Sequence, residues 1–143
     1  MENKLDIKRT YKKNKLKKVM DKIYEEYDRE NGVKIDFEEF NYVVKEKKKI
    51  IGGITGWRAF NEIYIEELCI EKDFRKKGLG KKLIELVEKE INNGTCDNIN
   101  LVTNEFAKAI DFYKKCGFEI EFKRKNNVNK SVSKYYMKKM LKN

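Results

Sequence analysis

The sequence predicts a mixed α/β domain, and three observations carry that prediction. Two segments place apolar residues at helical spacing: Leu16, Val19, Met20, Ile23, Tyr24 and Tyr27, then Leu79, Leu83, Leu86, Val87 and Ile91. Several short apolar runs bounded by Gly, Asn and Lys turns read as strands. One of these runs feeds a glycine-spaced loop and then a helix, the pattern of a right-handed crossover in a sheet.

In chain order, residues 5–10 alternate weakly and are assigned a first strand. The amphipathic helix from Asn14 has a lysine and glutamate outer face and is stopped by Asn31-Gly32. Residues 35–40 read equally as a short helix or a turn. Residues 41–46 and 49–57 flank a lysine turn and form a hairpin, in which Gly52, Gly53 and Gly56 mark a bulge or a close backbone approach. A turn at 59–61 leads into a strand at 62–70. The helix at 80–90 ends at Asn93-Gly94, and residues 98–103 form a short strand. Phe106, Ala109, Ile110, Tyr113 and Cys116 then make a further helical stripe, closed by Gly117. Strands at 118–123 and 134–141 close the domain around an asparagine-rich loop. Residues 1–143 are read as one domain, since the chain has no repeat and no proline linker.

Composition narrows the function classes. The absence of a long apolar run argues against a membrane span, and the lysine-studded start argues against a secretory signal. Three cysteines, Cys69, Cys96 and Cys116, are odd in number and lack metal spacing, which fits a reduced, cytoplasmic setting. The net charge of +10 arises from 34 Lys+Arg against 24 Asp+Glu. The excess is nearly all lysine, spread along the chain and mixed with glutamate, so it reads as a solvated surface before it reads as a nucleic-acid face. A basic nucleic-acid-binding module is the competing class, without an RRM-like or helix-turn-helix signature behind it.

The most informative stretch is Arg75-Lys76-Lys77-Gly78-Leu79-Gly80, which joins the strand at 62–70 to a helix N-terminus. It is not the G-x-G-x-x-G dinucleotide fingerprint, because Leu83 occupies the third glycine position, and it lacks the G-K-[ST] of a Walker loop. The plain reading is an ordinary strand-to-helix turn. Yet Arg75, Lys76, Lys77, Lys81 and Lys82 surround it, so backbone N–H donors and cations would converge on one anion, with a pyrophosphate as the natural occupant.

At these residues the chain resembles the GNAT superfamily, the Gcn5-related N-acetyltransferases. The family's acetyl-CoA loop, Arg/Gln-x-x-Gly-x-Gly/Ala after a strand ending Leu-x-Val, is matched by Leu68-Cys69-Ile70 followed by Arg75 to Gly80. A second signature, Ala-x-x-Phe-Tyr-x-x-x-Gly-Phe, is matched by Ala109, Phe112, Tyr113, Gly117 and Phe118. The Gly52-Gly53 strand and the closing Tyr135-Tyr136 strand resemble family elements less specifically. The resemblance implies a mixed, mostly antiparallel sheet of about six to seven strands with helices on both faces. It also implies acetyl-CoA as donor, an amine acceptor and no metal. A homodimer is left open, as is a fold member that binds CoA without catalysis. The chain departs from the family at Phe106, where many members carry a pantetheine-binding asparagine; the nearest asparagine is Asn104.

Residue roles follow from the resemblance. The backbone of Leu68, Cys69 and Ile70 would receive the thioester carbonyl, with the Ile70 N–H as oxyanion donor. A nucleophilic Cys69 is the sharper alternative, but the chain has no histidine to serve as its base. Arg75, Lys76, Lys77, Gly78, Leu79, Gly80 and Lys81 would hold the phosphates, with Phe112 and Lys115 adjoining. An acceptor amine with a pKa near ~10.4 must lose a proton, and Glu66 or Glu67 could take it. Neighbouring strand residues face opposite ways, so family position favours Glu66 and a bulge would favour Glu67; the plain reading leaves both solvated. Tyr113 matches the family's general acid, and is otherwise a core tyrosine. Trp57, Tyr27, Phe37 and Phe40 are available to shape an acceptor pocket or to fill a core.

Overall fold

A computed structural model describes residues 5–142, and the chain divides into two compact units between Lys34 and Ile35. In the first, helix α1 (Lys13–Glu30) follows an irregular segment. Residues 5–10 are not the strand the alternation predicts. Leu5 and Ile7 are 91% and 98% exposed, and two apolar residues among charged neighbours offer no buried face on which to pair a strand. The end of α1 is as expected. Asn31 donates from its backbone and its side chain to Tyr27 O, and Gly32 takes a φ of +65°, the left-handed conformation that ends helices.

The second unit is a six-stranded sheet of order β1-β2-β3-β4-β6-β5. Its strands are β1 (Glu38–Glu46), β2 (Lys49–Ala59), β3 (Glu62–Ile70), β4 (Asn98–Asn104), β5 (Glu119–Arg124) and β6 (Lys134–Met140). Helix α2 (Leu79–Ile91) joins β3 to β4, and α3 (Ile110–Lys115) follows β4. The β3–β4 pair is parallel and the other four pairings are antiparallel.

Residues 38–40 belong to β1 rather than to a helix, because Glu38, Glu39 and Phe40 pair with Arg58, Trp57 and Gly56. Phe60 and Asn61 both have positive φ, as a two-residue turn between twisted strands needs. The predicted helical stripe from Phe106 is interrupted. Lys108 adopts φ 51°, residues Glu105–Ala107 form a 3-10 turn, and α3 starts only at Ile110. Phe106 is therefore left 61% exposed.

One core cluster lies against one face of this sheet. It combines Phe40, Ile54, Ile63, Ile65, Ile99, Leu101 and Met137 with Leu83, Ile84, Val87 and Ile91 of α2 and with Tyr113 of α3. Strand alternation then places Asn41, Thr55, Trp57, Tyr64 and Asn100 on the other face, where the Trp57 and Tyr64 rings meet at 4.8 Å.

Candidate active site

The sheet opens where β3 and β4 part. Their pairing is confined to Glu62–Asn98, Ile63–Ile99 and Tyr64–Asn100. Beyond this point β3 runs on beside β2 as far as Ile70, while β4 runs on beside β6 as far as Asn104. The β4-facing edge of β3 from Ile65 to Ile70 therefore has no strand partner among the described residues, and Leu68, Cys69 and Ile70 lie on it. On its other edge this stretch pairs with Ile54, Gly53 and Gly52. A side chain at Gly52 would collide with the Cys69 carbonyl, so the glycine permits the backbones to pack closely there.

The loop that leaves β3 is shaped by backbone geometry. Arg75 donates from Nε to Ile70 O at 2.8 Å, which fastens it to the strand end. Lys76 and Gly78 both have positive φ, 61° and 79°. Gly78 is the N-cap of α2 and provides no side-chain acceptor for the first-turn N–H groups. A Cβ at Gly78 would meet nothing within 4 Å, so the glycine there serves the left-handed turn and not a tight contact. Gly80 is the reverse case: a Cβ would stand 2.8 Å from Phe112 Cζ. Lys76, Lys77, Lys81 and Lys82 are exposed, with Lys77 Nζ 5.3 Å from the Phe74 ring. Uncapped donors with exposed cations and no acidic residue in the first turn suit a pyrophosphate.

Tyr113 is 7% exposed, wedged edge-on between Phe112 and Phe118. Burial above all, and then the neighbouring thiols of Cys69 and Cys116, push its phenol up to about 12. Glu66 and Glu67 are both exposed. The β2–β3 register shifts between Thr55 and Gly56, pairing Thr55 with Glu67 and Gly56 with Ile65 and leaving Glu66 as the extra residue of a bulge. Glu67 thus shares the outward face with Thr55, whose Oγ1 is buried without a hydrogen-bond partner.

The other sequence candidates are less concentrated. Asn104 is half-buried and donates to Val132 O at 3.2 Å, which ties the end of β4 to the loop before β6. Phe112 packs on Gly80, Leu79 is half-buried and Lys115 is exposed. Of the aromatics, Phe40 belongs to the core, Phe37 is exposed, and Trp57 lines a pocket with Ala59, Phe60, Glu62, Tyr64 and Asn100. Sequence reading offered Trp57 for a pocket but missed the rest of its lining, and it missed Thr55. The available signal was the turn at 59–61, which sets Trp57 across from Tyr64.

A family profile described as Acetyltransferase (GNAT) family matches residues 5–118. Mycothiol acetyltransferase of Corynebacterium jeikeium (strain K411) is 35% identical over 78 residues, which cover 54% of this chain and 21% of that protein. The chain therefore spans about a fifth of the length of this curated relative. A crystal structure of an acetyltransferase from Bacillus cereus ATCC 14579 superposes with a TM-score of 0.77 at 26% identity, covering 95% of this chain and 98% of that one. A streptothricin acetyltransferase candidate from Bacillus anthracis str. Ames, solved in complex with acetyl coenzyme A, gives a TM-score of 0.65 at 28% identity, covering 73% and 63%.

Proposed function

The chain belongs to the acetyltransferase (GNAT) family, and from that premise we propose that it transfers the acetyl group of acetyl-CoA directly to a primary amine. The observation that carries the reading is the opening between β3 and β4, set beside a loop of uncapped N–H groups and cations.

The residues present fit the donor. The first turn of α2, with Arg75, Lys76, Lys77, Gly78, Leu79, Gly80 and Lys81, would hold the pyrophosphate. The unpartnered edge at Leu68, Cys69 and Ile70 would hold the thioester carbonyl, the Ile70 N–H donating to the oxygen as charge grows there. Glu67 takes the acceptor's proton, directly or through a water, a reading supported by the bulge that turns it onto the face of Thr55. The amine nitrogen then bonds to the acetyl carbon, the carbon–sulfur bond breaks, and the proton the nitrogen sheds on becoming an amide passes to the departing thiolate or to water. Tyr113 donates a hydrogen bond to the departing sulfur. A phenol held at about 12 keeps its proton at working pH, while a thiol has a pKa near ~8.5. Complete transfer would be uphill, so Tyr113 acts as a hydrogen-bond donor that is always loaded.

Acetyl-CoA should raise the melting temperature by binding the native state, and an amine panel with thiol detection should show amine-dependent release of CoA. Saturating acetyl-CoA without a thermal shift overturns the reading.

A further inference from the structure

In a chain with 34 Lys+Arg, strands β3 and β4 contain no lysine or arginine, while β3 carries Glu62, Glu66 and Glu67. The two cations of β2 are committed elsewhere: Lys49 pairs with Glu71, and Arg58 is buried on the core face. On the outward face a cation next to this region, Lys138 opposite Asn100, is paired with Glu121 at 3.3 Å. The face of β2–β4 opposite the core of this unit is thus acidic and polar in a basic chain. It is also concave. A pocket of about 280 Å³ is lined by Trp57, Tyr64, Glu62 and Asn100 among others. Asn98 donates to Glu62 Oε1 at 3.2 Å, which orients that carboxylate. Tyr64, part of the pocket's lining, is the lining residue nearest Glu67 along β3.

We infer that this face takes as acceptor an elongated aliphatic polyamine, with one amine at Glu67 and a second cationic amine over Trp57 and Tyr64 beside Glu62. The inference rests on the acetyl-transfer reading. Its chemistry is complementary at both ends. Carboxylates favour ammonium groups, and aromatic faces attract a cation once it is desolvated. At about 3.3 Å per residue, the five steps from Glu62 to Glu67 span on the order of 13–17 Å, a distance that suits a long polyamine and leaves a short diamine or a compact polycation to engage one end. The methylene chain between the amines would lie along Tyr64.

Trp57 is the single tryptophan of the chain, so its fluorescence reports on this pocket without any need for turnover. Titration with spermine, in the absence of acetyl-CoA, is expected to change the emission saturably. Putrescine, n-octylamine and kanamycin should each bind at least ~10-fold more weakly, having lost one end of the recognition. Glu62→Gln should weaken spermine about fivefold while leaving the thermal shift from acetyl-CoA intact. Asn100→Lys, which puts a cation in the lining of the pocket, should abolish spermine binding. A flat spermine titration, equal affinity for kanamycin or octylamine, or unchanged affinity in both variants overturns the inference. If acetyl-CoA stabilises the protein and spermine leaves Trp57 unmoved, the polyamine assignment alone falls. If acetyl-CoA gives no shift, the acetyl-transfer reading falls and the acceptor assignment falls with it.

Discussion

Gly80 sits against the ring of Phe112, and a Cβ at position 80 would stand 2.8 Å from Cζ and 3.1 Å from Cε1. The first turn of α2 and the body of α3 approach this closely only because position 80 lacks a side chain. Gly80→Ala must displace the ring, and such overpacking costs about 1–3 kcal/mol. Denaturant unfolding should register that loss, and Phe112→Leu in the same chain should recover part of it. A single Gly80→Ala variant as stable as the parent would show that the ring yields freely.

Tyr113→Phe keeps the packing between Phe112 and Phe118 and removes the hydroxyl. Turnover should fall by about 10–100-fold with acetyl-CoA affinity near that of the parent. Steady-state kinetics and thermal shift separate the two effects.

The same tyrosine sets a direction for alkaline stability. Its folded pKa of about 12 lies above the ordinary value of 10.0, so the folded state holds the proton more tightly. Stability from this group is complete below pH 10 and is lost as pH rises from 10 through about 12, on the order of 2–3 kcal/mol. Tyr42 is also pushed up to about 12, by burial first and then by its 2.6 Å hydrogen bond to Glu90. Tyr113→Phe should therefore flatten the alkaline slope in part, measured by denaturation at several pH values.

Between the two adjacent carboxylates, the bulge makes Glu67 the face-sharing partner of Thr55. Glu67→Gln should lower turnover about 100-fold, and Glu66→Gln should lower it much less. A chemically rescued rate at high pH, where the amine arrives already neutral, should narrow the gap for Glu67→Gln.

Arg58 is 8% exposed and donates to Ile91 O at 2.7 Å and to Glu38 at 2.8 Å, with Asp36 at 3.4 Å. It joins the start of β1 to the last turn of α2, and a cation there also complements the helix dipole. Glu38 and Asp36 are exposed enough to rehydrate, so Arg58→Met should cost about 2–3 kcal/mol, chiefly from the stranded Ile91 carbonyl. Urea unfolding measures it, with acetyl-CoA binding to the remaining folded fraction preserved.

Local signals carried most of the fold. The hairpin at 41–57, the turn at 59–61 and the end of α1 at Asn31-Gly32 depend on neighbouring residues, and each stands where the sequence put it. The strand assigned to residues 5–10 failed because alternation says nothing about whether a partner edge exists. Phe106 left the helix because Lys108 turns left-handed, and lysine carries no mark of that. The site divides in the same way. Gly78 and Tyr113 stand in recognisable motifs, whereas the opening of β3 from β4, the bulge at Glu66 and the pocket under Trp57 arise from pairing between distant strands.

The most direct test of acetyl transfer is mass spectrometry of an amine panel incubated with the protein and acetyl-CoA. An acetylated amine should form in step with free CoA, about 10–100-fold more slowly in the Tyr113→Phe variant and about 100-fold more slowly in the Glu67→Gln variant. Acetyl-CoA left intact with every amine, by a folded protein at saturating donor, would contradict it.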